Sequence, residues 1–215
     1  MKFILILSTA LLLFSHTVEA GHPEENADGF EMIFDGKDLS KLDTEGNWKI
    51  QEDGSLYLEP RDGEEGWKRY HHYLWLKENY GDFVFDFEYK HAEGGNSGFY
   101  FRVSEKADPV KTGFEVQIMD STGKADADMG HHDLGGIIKT KGASKNMSKA
   151  PNEWNRMTVT MKGNQLTVVL NGETIQDFDL AAEKGADVDL AKEGLLTIQD
   201  HGLPFWVRNL QVKRL

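Results

Sequence analysis

The chain has 215 residues, a formal net charge of -12, 28% charged side chains and no cysteine. Without cysteine there is no disulfide framework and no thiol chemistry, so packing alone must hold the fold. The acidic balance argues against nucleic acid and anionic membrane as partners, and is compatible with neutral sugars and divalent cations.

From the N-terminus, residues 1–20 read as an export signal. Met1 and Lys2 give a positive start, residues 3–14 are almost wholly apolar, and Val18-Glu19-Ala20 puts small side chains at the two positions a signal peptidase inspects. The alternative, an uncleaved N-terminal anchor, is disfavoured because the run is short for a bilayer span. The expected location is the periplasm or the cell surface, with no membrane insertion after cleavage. Residues 21–28 form a polar leader. Residues 29–215 then make one domain, long enough to bury an adequate core.

The domain reads as strands and turns. Phe83-Val-Phe-Asp-Phe-Glu-Tyr-Lys90 alternates, with Phe83, Phe85, Phe87 and Tyr89 on one face. Met157, Val159 and Met161 alternate, turn through Lys162-Gly-Asn164, and lead to Leu166, Val168 and Leu170. Asn171-Gly172 follows as a hairpin turn, both positions tolerating φ > 0. Residues 180–190 invite a short helix, and residues 124–147, rich in Gly, Asp, His and Lys, read as a long surface loop of functional type. Many short strands with little helix predict an all-β sandwich of two antiparallel sheets.

Three segments carry hydrogen-bonding residues on the parity opposite their apolar one. In Asn96-Ser-Gly-Phe-Tyr-Phe-Arg-Val103, Phe99, Phe101 and Val103 are expected inward, with Asn96, Gly98, Tyr100 and Arg102 opposite. In Phe114-Glu-Val-Gln-Ile118, Glu115 and Gln117 share the polar side. In Leu196-Thr-Ile-Gln-Asp-His201, Thr197, Gln199 and His201 do. Period-two geometry places each set on one face. If the strands are neighbours, the sets merge into one floor of amides, guanidinium, carboxylate and imidazole, able to donate to and accept from sugar hydroxyls. Tyr100 or Trp67 could stack on a pyranose. The bland reading is a set of ordinary solvated faces, which a mixture of Lys, Glu and Thr would fit better.

Glu115-Val-Gln-Ile-Met-Asp120 resembles the bulged catalytic strand of laminarinase-like glucanases, which carries Glu, Asp and Glu at the first, third and sixth positions. Here Gln117 and Asp120 stand at the third and sixth, so the two-carboxylate mechanism is in doubt. His131 and His132 are candidate metal ligands beside a solvated-loop reading.

The whole domain resembles the 3-keto-disaccharide hydrolase family. The likeness runs through Gly29-Phe-Glu-Met-Ile-Phe-Asp-Gly36, Tyr80-Gly-Asp-Phe83, Gly95-Asn-Ser-Gly98 with Arg102, Gly113-Phe-Glu-Val-Gln117, Glu153-Trp-Asn155, Leu170-Asn-Gly172, Gln199-Asp-His-Gly202 and Val207-Arg-Asn209. The resemblance implies a concanavalin-like jelly roll acting on 3-keto-glycosides by hydrolysis or elimination. It implies Glu115, His201 and Arg102 as catalytic groups, with Asn96, Tyr100, Gln117, Asp120, Gln199 and Asp200 holding substrate. No cofactor is required by that route. A divalent cation on Glu115, His131, His132 and His201 is the one addition it admits. The competing function is a non-catalytic carbohydrate-binding domain using the same face.

Overall fold

The computed structural model describes residues 28–183 and 191–215. The export segment, most of the polar leader and most of the helix expected at 180–190 lie outside the described residues; residues 180–183 are turn. Among the described residues no helix is long and apolar enough to cross a membrane.

Thirteen strands are described: β1 Glu31–Phe34, β2 Leu42–Asp43, β3 Trp48–Ile50, β4 Leu56–Leu58, β5 Leu74–Tyr80, β6 Phe83–His91, β7 Asn96–Val103, β8 Phe114–Met119, β9 Asn155–Lys162, β10 Gln165–Leu170, β11 Glu173–Asp179, β12 Gly194–Ile198 and β13 Phe205–Arg214. Among the described residues one α-helix, α1 Pro109–Thr112, joins β7 to β8. The larger sheet runs β11-β10-β9-β6-β13-β4-β3, with β1 also on β13; the smaller runs β2-β5-β12-β7-β8. Every ladder is antiparallel. This is the expected two-sheet jelly roll.

The alternating apolar parities meet between the sheets. Phe83, Phe85, Phe87 and Tyr89 of β6 are fully buried, as are Phe99 and Phe101 of β7. Phe85 stacks on Phe99 with ring centroids 4.8 Å apart. Met157, Val159, Met161, Leu166, Val168 and Leu170 fill the same core with Val116, Ile118 and Ile198. At the β10–β11 hairpin, Asn171 and Gly172 adopt φ 52° and 88°, the pair of positive angles that a two-residue turn matching strand twist needs.

The expected parity fails at one residue. Tyr100 pairs with Thr197 and Val103 with Leu195, so β7 carries one residue more than β12 over this stretch. The extra residue coincides with Arg102, whose φ is +52°. A bulge of this kind switches the faces of everything after it. Val103 therefore leaves the main core and joins Tyr73, Trp75 and Tyr100 in a second apolar cluster on the outer face of the smaller sheet.

Residues 124–147 are also more than a surface loop. Met129, Leu134, Ile137 and Ala143 are in the core. Gln117 N–H donates to Gly136 O at 2.8 Å, Gly135 N–H to Gln117 O at 2.8 Å, and Ile138 N–H to Glu115 O at 3.1 Å. The loop thus covers the free edge of β8, which would otherwise present unpaired backbone groups.

Arg102 Nη2 donates to Asp82 Oδ1 at 3.1 Å and to Gly163 O at 2.8 Å. It thereby ties the end of β7 to the β5–β6 turn, which crosses between the sheets, and to the β9–β10 turn of the larger sheet. Arg102 is 4% exposed and Asp82 37%, so the carboxylate end is partly screened. Arg102→Met is expected to lower the unfolding free energy by about 1–3 kcal/mol, the range for stranding buried hydrogen-bonding groups. Urea unfolding at neutral pH measures it. A loss no larger than that of an exposed substitution, about 0.5 kcal/mol, would sink the clamp.

Candidate functional site

A cavity of about 420 Å³ opens on the outer face of the smaller sheet, lined by Trp67, Asn96, Tyr100, Val110, Glu115, Gln117, Met119, His132, Ile138, Lys139, Gln199 and His201. The sheet order sets its plan. Asn96 and Tyr100 come from β7, Glu115 and Gln117 from β8, and Gln199 follows β12, so three adjacent strands make the floor. Ile138 and Lys139 rise beside the outer edge of β8. Trp67 closes the other side: Gly66 N–H donates to His201 O at 3.0 Å, and Tyr73 Oη donates to Trp67 O at 2.6 Å.

The floor holds two hydrogen-bond chains. In one, Gln199 Nε2 donates to Tyr73 Oη at 2.9 Å and reaches Tyr100 Oη at 3.4 Å, while Tyr100 Oη donates to Glu115 Oε2 at 2.6 Å. In the other, Gln117 Nε2 donates to Asn96 Oδ1 at 3.0 Å, and the Asn96 amide lies 3.3 Å from His201 Nε2. An amide nitrogen only donates, so His201 Nε2 is the acceptor there. Burial holds the His201 imidazole below its ordinary range. The neutral form carrying its proton on Nδ1 fits the Asn96 contact at Nε2.

Glu115 is the one carboxylate among the described residues lining the cavity. It is 8% exposed. Burial pushes its carboxyl up to about 7, and the Tyr100 hydrogen bond works against that rise. Burial likewise raises the Tyr100 phenol, helped by the adjacent Glu115 charge. A Cβ on Gly98 would sit 2.2 Å from Glu115 Oε1, so glycine there is what gives the carboxylate room. A carboxylate near 7 can hold or release a proton at neutral pH, which suits general acid–base work.

Six expected site residues converge: Asn96, Tyr100, Glu115, Gln117, Gln199 and His201. Three do not. The bulge turns Arg102 to Asp82 and away from the cavity, so its assignment as a catalytic group is corrected. Asp120 stands past the end of β8, where its carboxylate accepts Gly94 N–H at 2.9 Å and Thr122 N–H at 3.1 Å. β8 pairs with β7 without a register shift, so no bulge brings Asp120 to the Glu115 face. Asp200 is fully buried beneath the site, accepting Gly202 N–H at 2.7 Å and facing Arg69 Nη2 at 3.5 Å. Arg69 also donates to Glu64 and His72, so Asp200 anchors the Trp67 segment and does not touch the cavity.

His132 lines the cavity, and the His131 ring lies against it, tilted by 45° with ring centroids 4.1 Å apart. His131 Nδ1 accepts Lys139 N–H at 3.2 Å. Among the described residues no group of three or more His, Cys, Asp or Glu side chains is arranged to hold a metal ion. Sequence reasoning missed Tyr73, Val110, Met119, Ile138 and Lys139. Ile138 and Lys139 fall in the 124–147 loop read as functional, but nothing in the sequence singled out those two residues.

The chain matches the 3-keto-alpha-glucoside-1,2-lyase-like domain over residues 29–213. It is 24% identical to a 3-keto-disaccharide hydrolase of Bacteroides thetaiotaomicron, covering 88% of this chain and 80% of that protein. A candidate glycosyl hydrolase from Parabacteroides distasonis superposes with a TM-score of 0.71 at 26% identity, over 89% of this chain and 96% of that one. The carbohydrate-binding module CBM66 from Bacillus subtilis shares the fold at a TM-score of 0.53 and 12% identity, over 86% of this chain and 95% of that one. The chain is a carbohydrate-active, glycosyl hydrolase-like protein, and with nearly all of its domain matched it belongs to the 3-keto-alpha-glucoside-1,2-lyase-like family.

Proposed function

We propose that the protein cleaves the glycosidic bond of 3-keto-glycosides by elimination followed by addition of water. The observation that carries this reading is the lone buried Glu115, with its carboxyl near 7, at the floor of a cavity otherwise rich in neutral hydrogen-bonding groups. A two-carboxylate displacement needs a second acid at a set separation, and the cavity lining supplies none. A ketone at C3 removes that need by acidifying the C2 hydrogen.

Glu115 takes the C2 proton. The C2 electron pair forms a C1=C2 double bond as the C1–O bond breaks, and the departing oxygen takes the collected proton from the Glu115 carboxyl. Water then adds across C1=C2 to give the free 3-keto sugar. Once Asn96 turns its amide from His201 Nε2 to a sugar hydroxyl, the Nε2 lone pair is free to draw a proton from the adding water, though not to donate one. Gln117 and Asn96 are assigned to the sugar hydroxyls, and Trp67, 39% exposed at the rim, to the sugar face. No step of this route requires a metal ion; loss of turnover in EDTA would show that a divalent cation takes part.

With a 3-keto-disaccharide, Glu115→Gln is expected to lower kcat by about 100- to 10,000-fold, the range for a missing general base, with KM changed far less. The wild-type rate should climb with pH through about 7, as Glu115 ionises. Unchanged turnover in the variant would remove Glu115 as the base. Sugar binding without turnover by the wild type would establish the alternative, a non-catalytic binding domain.

The same carboxyl predicts a stability effect. Glu115 ionises at about 7 when folded against an ordinary 4.5, so between those values the unfolded chain loses its proton first. Stability therefore falls as pH rises through that window. Glu115→Gln should be more stable than wild type at pH 8, by on the order of 3 kcal/mol, and about equal at pH 4. Thermal unfolding at both values checks this; a variant less stable at pH 8 contradicts it. Export by residues 1–20 belongs to the same proposal: protein recovered from its own host should begin at Gly21, as N-terminal sequencing would show.

A further inference from the structure

Removing a proton from C2 of a 3-keto sugar drives negative charge onto the C3 oxygen. Rate then depends on a donor fixed where that charge develops. The guanidinium of Arg102 is spent on Asp82 and Gly163. Among the described residues lining the cavity, Lys139 is the only lysine or arginine.

The backbone at Lys139 is unusual. Its φ is +61°, a left-handed conformation that costs an L residue about 1 kcal/mol and is ordinarily given to glycine or asparagine. The surroundings over-determine it. Lys139 N–H donates to His131 Nδ1 at 3.2 Å. Ile137 N–H donates to Lys141 O at 2.7 Å, and Lys141 N–H to Ile137 O at 3.0 Å, closing a tight turn around it. The neighbouring Ile138 N–H donates to the backbone carbonyl of Glu115 itself at 3.1 Å. A strained residue so held beside a buried base is a reason to look for a role in the chemistry. The carboxylate and the ammonium-bearing residue share one rigid stretch of backbone, one residue removed from a direct hydrogen bond.

We infer that Lys139 is a catalytic residue whose ammonium group stabilises the C3 oxygen as the C2 proton passes to Glu115, an inference that rests on the elimination reading above. The C2–H bond breaks, its proton goes to the Glu115 carboxylate, and the electron pair delocalises onto the C3 oxygen. Lys139 keeps its protons throughout and donates a hydrogen bond to that oxygen. The pair then returns to form C1=C2 as the C1–O bond breaks. No covalent bond forms to the lysine.

Two reactions test it. One is cleavage of a 3-keto-disaccharide. The other is exchange of the C2 hydrogen in D2O, followed by NMR, on a 1,5-anhydro-3-keto sugar that has no leaving group at C1 and can only enolise. Lys139→Met removes the charge and keeps length. Lys139→Gly removes the charge and relieves the backbone. Both are expected to lose about 100-fold in kcat and in exchange rate, as for loss of one oxyanion donor, with KM moving much less. A Lys139→Gly variant as fast as wild type would overturn the inference, because the residue would then matter only as a turn. A borohydride-trapped adduct on Lys139 would overturn it too, by showing an iminium in place of a hydrogen bond. A wild type that cleaves and exchanges while Lys139→Met equals it defeats the Lys139 role alone. A wild type that does neither defeats the elimination reading itself.

Discussion

The aromatic seam between β6 and β7 is the constraint on which the rest depends. Phe85 lies flat on Phe99 at 4.8 Å, and Phe83 meets both Phe99 and Phe101 edge-on. Deleting one such ring typically costs 3–5 kcal/mol in other proteins, so the register of β7 against the opposite sheet is strongly specified. In a strand, fixing one face fixes the other. With Phe99 and Phe101 inward, Tyr100 has to point out of the sandwich. There it stands over Glu115, its directly paired residue on β8, close enough to donate its hydroxyl at 2.6 Å. The core thus sets the site through parity alone.

The site is costly for the fold, and that cost is informative. An ionised carboxylate that is almost dry destabilises the folded state above the pH where the unfolded chain ionises. The surroundings compensate only partly, through the single Tyr100 hydroxyl, and the carboxyl still sits near 7. A purely structural acid would be expected to gain a cation or several N–H donors, as Asp86 does from Arg156, Gln211 and the Thr158 hydroxyl on the opposite sheet. Among the described residues the only lysine or arginine lining the cavity, Lys139, is held by its loop and makes no ion pair with Glu115. Leaving the charge poorly satisfied keeps the carboxylate basic, and a basic carboxylate is what proton abstraction requires.

Much of this was legible in the residues. Alternation located the core strands and put Asn96, Tyr100, Glu115, Gln117, Gln199 and His201 on one side, because period two is a local property of the chain. What was not legible came from events that periodicity cannot encode. One inserted residue at Arg102 reversed a face, and nothing in Phe-Arg-Val marks a bulge. Asp120 and Asp200 carry the right chemistry for a sugar site, yet the backbone N–H groups of Gly94 and Thr122 for one, and of Gly202 with the polar packing around Arg69 for the other, claimed them for the fold. Lys139 and Ile138 reach the cavity because residues 135–138 pair along the edge of β8, a contact made through space by a loop whose composition suggested a functional segment without fixing which side chains face the site.

What became of the third and sixth positions argues for the chemistry. On the Glu115 strand, the third position holds Gln117, whose amide locks Asn96, and the sixth holds Asp120, whose oxygens cap the turns at Gly94 and Thr122. Neither can serve as the second acid of a displacement at C1. A single base can still break a glycosidic bond if the substrate brings its own activation, and a neighbouring ketone does so by making the C2 hydrogen acidic and giving its electron pair somewhere to go. The burden on the protein then changes. It no longer needs paired carboxylates across the bond, only one base of suitable strength, a donor for the oxygen that collects charge, and neutral groups that orient hydroxyls. The proposed elimination assigns those three needs to Glu115, Lys139 and the amides of Asn96, Gln117 and Gln199, and it leaves regular the strand that a displacement enzyme would have to re-bulge.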